Sequence, residues 1–291
     1  MTLIQQLING LHVGSIYALI ALGYTMVYGV VKLINFAHGD IMMIGAFSAF
    51  VALSIFQLPI GIVLIITMIF CALSGVLIER IAYKPLRNAP RISALITAIG
   101  VSFALENLFL IIFGSSAKSF PYYIDLPPIQ MGKLQIPWIT IITLALAICL
   151  MILLELFIKR TRTGKAMRAV SEDKDAAELM GINANITISI TFAIGSALGG
   201  VAGVLYSIAY PQIQPYMGIM PGLKAFIAAV LGGIGIMPGA MLGGFLMGII
   251  ESLTKGYIST LWSDAIVFGI LILVLLIKPT GILGKNVREK V

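Results

Sequence analysis

Three acids lie inside apolar stretches of this chain: Glu106, Glu155 and Glu251. An ionisable group at membrane depth is costly, and its default reading is functional, for instance a carboxylate in a solute path. Local spacing accounts for two of the three. Glu155 stands four residues before Lys159, and Glu251 four before Lys255, the spacing at which side chains share one helix face. Glu106 has no such neighbour, which leaves it as the candidate pathway carboxylate, against a plain hydrogen bond to an adjacent helix. The histidines offer less. His12 falls in the first apolar run and reads as a buried hydrogen-bonding residue. His38 and Asp40 flank Gly39 at the entrance to another run. Two ligands do not make a metal site, and Asn35 or Asp40 reads better as a helix cap. No Ser/His/Asp set, His-Glu-x-x-His or Cys-x-x-Cys occurs, so neither a catalytic residue, a metal site nor a cofactor is expected. Gly232-Gly-Ile-Gly235 lacks the Lys-Ser/Thr of a phosphate-binding loop, and no Gly-x4-Gly-Lys-Ser/Thr exists elsewhere, so ATP cannot be hydrolysed here by that route.

The elements that must position these residues are membrane helices. Of 291 residues, 59% are hydrophobic and 11% charged, with mean hydropathy +1.05. Soluble domains carry about 25% charged residues. The apolar runs do not alternate, which argues against a β-barrel. The chain is therefore an all-α polytopic integral membrane protein with a single domain over residues 1–291. Spans are expected at 7–31, 41–56, 59–78, 92–113, 136–158, 186–208, 222–236, 239–256 and 264–278, about eight or nine helices. Segments 41–56, 222–236 and 264–278 are short of the ~20 residues a full span needs, and Gly and Pro interrupt 222–256. Short, broken segments at membrane depth suit re-entrant helices around a cavity. Residues 35–47 and 221–233 echo each other as Gly/Ala-rich re-entries, as the two halves of a transporter repeat would. Gly195, Gly199 and Gly203, and likewise Gly235, Gly239 and Gly243, recur at the four-residue spacing that lets helices approach closely, either within the chain or at a seam with a second subunit. Cys71 and Cys149 read as apolar filler.

Charge gives the orientation. Fourteen of nineteen Lys/Arg fall within Arg80–Arg91, Lys159–Lys174 and Lys278–Lys290. These are the cytoplasmic segments by the positive-inside rule. The net charge of +7 is therefore topological and does not point to nucleic acid. The N-terminus is expected outside, the C-terminus in the cytoplasm and the 114–135 loop outside.

Within the 159–185 loop, residues 171–183 form a polar island. A short helix from about Asp173 to Met180 is expected, capped by Ser171 or Asp173 and ended by a left-handed Gly181. Ala176 and Ala177 leave one face small, which suits insertion into a groove of another protein. An ordinary connector is the plainer reading.

Longer motifs carry a resemblance. The stretches Asn9–Gly29, Ile34–Asp40, Lys224–Gly235, Pro238–Gly244 and Lys278–Gly284 resemble the permease subunits of branched-chain amino-acid ABC importers, over about residues 5–285, and most closely the H-type subunit of the leucine/isoleucine/valine system. The resemblance implies the ABC-importer permease fold in a prokaryotic inner membrane. It implies a heterodimer with a second permease, two cytoplasmic ATPase subunits and an extracytoplasmic binding protein docking near 114–135 and 209–221. It also implies that the chain itself is not an enzyme. In such importers a Glu-Ala-Ala-x3-Gly loop docks into the ATPase. Here Asp175, Ala176, Ala177, Glu178 and Gly181 match it, with Asp for the leading Glu. Tyr17, Tyr24, Asn35 and Glu106 are the candidate polar groups of a largely apolar pathway. A urea or short-amide importer is similar in sequence. An ion-coupled secondary transporter would need a paired acid or a sodium-type cluster at mid-membrane.

Overall fold

In lipid each backbone N–H and C=O must be satisfied within its own segment, so long apolar runs fold as helices. The computed structural model describes residues 2–87, 89–122, 126–132 and 134–284. Its helices are α1 (Leu3–Val31), α2 (His38–Ser54), α3 (Ile60–Ile78), α4 (Arg91–Phe113), α5 (Trp138–Arg160), α6 (Arg162–Glu172), α7 (Lys174–Leu179), α8 (Ala184–Ala209), α9 (Ile219–Gly232), α10 (Met237–Tyr257) and α11 (Ser263–Ile277). A π-helical turn, Glu79–Tyr83, prolongs α3. Among the described residues six helices are long and apolar enough to cross a membrane: Leu3–Val31, Ile60–Leu86, Ile92–Phe113, Trp138–Arg160, Ala184–Ala209 and Met237–Tyr257. Three apolar helices, α2, α9 and α11, are shorter.

Four short strands depart from the all-α expectation. β1 (Lys118–Ser119) pairs antiparallel with β4 (Gln212–Ile213), and β2 (Ile129–Met131) with β3 (Leu134–Ile136). They lie in loops beyond the helix ends, where free backbone groups need partners. The same end of the bundle holds the start of α1, whose Gln5 side chain exchanges bonds with the Gln135 backbone at 2.9 and 3.0 Å. The opposite end carries the π turn, α6 and α7, and so the two basic clusters of the first two-thirds of the chain. Lys285, Arg288 and Lys290 of the third cluster lie outside the described residues, as do residues 123–125 and 133 of the 114–135 loop.

α1 is enclosed along most of its length. It runs against α10 backbone to backbone: a Cβ on Gly248 would fall 2.2 Å from the Gly14 nitrogen. α2 and α8 meet as closely, since a Cβ on Gly203 would fall 2.1 Å from the Met42 carbonyl oxygen. The glycine contacts are thus intramolecular. Gly235 departs from the ladder read in sequence. Its φ of +92° places it in the turn between α9 and α10, while Gly239 and Gly243 pack on Gly232 and Ala228.

The two echoing segments become α2 and α9, about 25 and 21 Å long at 1.5 Å per residue, too short for a ~30 Å hydrocarbon core. Both begin at one place. A Cβ on Gly39 would lie 2.6 Å from the Gly218 carbonyl oxygen and 3.2 Å from the Gly222 Cα. His38 sits beside Gly199, midway along α8, so the meeting point is halfway through the bundle. From there α2 runs to the strand end, where Phe47 packs on Phe109 and Phe113, and α9 runs to the other end, where Gly233 meets Gly284. The side-chain cap expected of Asn35 or Asp40 is absent: Ala37 is the N-cap and no side chain bonds it. Asn35 instead accepts the Tyr83 hydroxyl at 2.8 Å, tying the 32–37 re-entry to the π turn. A buried phenol needs an acceptor, and that demand overrides capping.

Candidate functional site

The meeting point of the two half-helices borders a cavity of about 190 Å³. Tyr24 of α1, Gly39 and Asp40 of α2, Ser102 and Glu106 of α4, and Gly218 and Gly222 at the start of α9 bring polar atoms or bare backbone to it. Phe36, Ile99, Phe103, Leu223 and Phe226 form the apolar wall. The Tyr24 ring stands edge-on to His38 and Phe226, with centroids 4.7 and 5.8 Å away. Ser102 bonds the Asp40 carboxylate, and the charge of Glu106 acts on it. Glycine at 39, 218 and 222 lets the two helix starts touch without a Cβ between them, and both starts border the cavity.

A separate charge cluster lies toward the strand end. The Lys224 ammonium reaches Glu251 at 2.8 Å and Asp264 at 2.7 Å. Glu251 also accepts from Lys255 at 2.6 Å and from the Tyr17 hydroxyl at 2.7 Å. One buried carboxylate thus ties together α1, α9 and α10, and Lys224 extends the tie to α11. A buried charge needs such company. Beside it opens a larger hollow of about 710 Å³, lined by Asn9, His12, Thr140, Tyr210, Glu251 and Lys255 among others. His12 bonds Thr140 at 2.7 Å, as its reading in sequence requires.

At the opposite end Asp173 caps α7, accepting the Ala176 amide at 2.9 Å. Gly181 takes φ +83°, donates to Glu178, and Ile182 donates to Ala177. This paired closure is a Schellman motif. The helix is close to that expected, but its faces differ from the expectation. Ala177 is buried against its own chain, in one cluster with Val170, Ala184 and Ile188. The outward face carries Asp175, Ala176, Glu178, Leu179 and Met180, the last two 89% and 83% exposed. Next to this helix Glu79 is fully buried, bonded by Arg87 and by Ser189 at 2.7 Å, and Arg87 bonds Asn185.

The sequence matches, over residues 6–276, the family described as the permease component of the branched-chain amino acid transport system. The chain belongs to that family. Among curated relatives, the high-affinity branched-chain amino acid transport system permease protein BraD of Pseudomonas aeruginosa is 44% identical over 301 residues, covering 99% of this chain and 98% of the relative. The corresponding LivH of Escherichia coli is 44% identical over 300 residues, covering 99% and 97%. A probable LivH of Methanocaldococcus jannaschii is 30% identical over 291 residues, covering 94% and 90%. No solved structure matches.

In this permease two of the four residues singled out for the pathway come together. Tyr24 and Glu106 share the central cavity, Tyr17 belongs to the Glu251 cluster and Asn35 to the Tyr83 tie. Three residues carry more than their local sequence signalled. Asp40 is a cavity carboxylate. Lys224, 27 positions before Glu251, is the ion partner that i,i+4 spacing could not reveal. Glu79 sits at the basic boundary, where an acid draws no notice. A lone Lys within an apolar, glycine-rich segment was the one signal that could have exposed Lys224.

Proposed function

We propose that this permease is one transmembrane subunit of an ATP-driven importer for leucine, isoleucine and valine. The observation that carries the reading is 44% identity, across nearly the whole chain, to branched-chain amino-acid permeases. The solute passes the central cavity beside Tyr24 and Glu106. The basic end faces the cytoplasm and the strand end faces outward, as the positive-inside rule asks. ATP hydrolysis belongs to two cytoplasmic ATPase chains, a second permease completes the membrane unit, and an external binding protein delivers the solute to the loops around β1 and β4. The outward face of α7 docks on an ATPase. Its buried Ala177 and the neighbouring Glu79–Arg87–Asn185 contacts join that helix to α8 and to the end of α3, so motion of the ATPase reaches the spans. The two docking states differ in contacts, which is the requirement for a nucleotide to drive the change.

The test is uptake of labelled leucine in cells lacking this chain, restored by wild type or by Leu179→Asp. Restoration by wild type alone supports both the substrate class and the docking face. Restoration by both removes α7 from coupling. Restoration by neither moves the substrate to urea or a short amide.

A further inference from the structure

We propose that the central cavity is a subsite for the amino group of an aliphatic amino acid, held between the Glu106 and Asp40 carboxylates. The proposal rests on the reading of the chain as an amino-acid permease, and it specifies which end of the solute is gripped and by what.

Glu106 is 4% exposed and faces the cavity, yet among the described residues it makes no hydrogen bond and no ion pair. Asp40 is 2% exposed and lines the same cavity, where the Ser102 hydroxyl and its own backbone amide are its hydrogen-bond partners and Glu106 is a like charge beside it. Buried carboxylates are ordinarily paired. Here the only cation on α9, Lys224, is committed to Glu251 and Asp264, while its neighbours Gly222, Leu223 and Phe226 line the cavity. The site therefore holds two acids and no base, in a place of low dielectric, and a cation completes it.

The chemistry selects which cation. A metal ion wants further ligands, and no group of three or more His, Cys, Asp or Glu that could hold one exists among the described residues. A primary ammonium has three donors and is served by two carboxylates and a hydroxyl or phenol, which Glu106, Asp40, Ser102 and Tyr24 supply. The remaining wall of Phe36, Ile99, Phe103, Leu223 and Phe226 fits a short branched hydrocarbon. About 190 Å³ is well under the roughly 300–1,000 Å³ of pockets for drug-sized ligands.

The assembled transporter, reconstituted with its partner subunits and a leucine-loaded binding protein, tests this. Failure of the wild type to move leucine would sink the permease reading itself. Given wild-type uptake, Glu106→Gln should cost roughly ten- to hundredfold in uptake while the partner subunits still co-purify, the scale of a lost charge-assisted bond. Glu106→Asp should restore part of it. Uptake by Glu106→Gln at the wild-type rate overturns the proposal. A second measurement uses the unaltered protein: carbodiimide modification of Glu106, followed by mass spectrometry. Leucine and isopentylamine should slow it, and 4-methylpentanoate, which lacks the amine, should not. Equal rates with and without the amines overturn the proposal, as does absence of any modification at a carboxylate that lines an open cavity. Protection by sodium ions in place of the amines assigns the site to ion coupling and overturns it too.

Discussion

Glu251 shows how far a single residue could be understood from its neighbours in sequence. Its pairing with Lys255 was legible because both lie on one helix turn. Lys224 and Tyr17 were not, because contacts across 27 and 234 positions depend on how helices are stacked. The two lysines should behave differently. Lys224 is 6% exposed, and removing it takes from the buried Glu251 its one buried cation, leaving it the half-exposed Lys255 and the Tyr17 hydroxyl. Lys224→Met should therefore lower stability by about 3–5 kcal/mol. The half-exposed Lys255 leaves a smaller trace, about 1 kcal/mol or less on Lys255→Met. Thermal unfolding of the two variants in detergent checks the ranking, and equal effects would show that the cluster is not held by Lys224. Glycines divide in the same way. Gly203→Ala would force a Cβ onto the Met42 carbonyl and should unpack α2 from α8, whereas Gly199→Ala finds an ordinary 3.4 Å clearance. Aggregation on size-exclusion chromatography for the first variant alone is the expected result.

Elements were legible where the signal is local. The α7 cap and its glycine stop depend on a few adjacent residues, and Asp173 and Gly181 perform both tasks. Which side of α7 looks outward depends on α6 and α8, and that was not legible. Two alanines suggested a small docking face, yet Ala177 is the residue the chain keeps for itself. Two substitutions separate these roles. Ala177→Arg should disturb the loop itself, visible as increased proteolysis between residues 160 and 184. Leu179→Asp, at an 89% exposed position, should leave proteolysis unchanged and abolish co-purification of the ATPase. Intact co-purification with Leu179→Asp would remove this face from docking. The half-helices were legible as short, interrupted segments with a shared character. That they start at one point and leave in opposite directions follows from the contact of Gly39 with Gly218 and Gly222, and no local pattern encodes it.

For the whole molecule, the charge map and the fold agree on which loops share an end, since basic segments far apart in sequence gather around α6 and α7. Single cysteines at Leu126 and at Leu179, in a background without Cys71 and Cys149, convert this into a measurement. An impermeant maleimide should modify position 126 on intact spheroplasts and position 179 only after permeabilisation; both sites are exposed. The reverse pattern would invert the orientation. The two-residue ladder between β1 and β4 has a mechanical consequence. It stitches the α4–α5 loop to the strand that, five residues beyond Ile213, reaches Gly218 at the rim of the cavity. On the proposed orientation, a binding protein docked near Lys118 would pull on a short tether whose far end is the rim of the cavity. Arrival of cargo and the opening of its doorway would then be one movement instead of two.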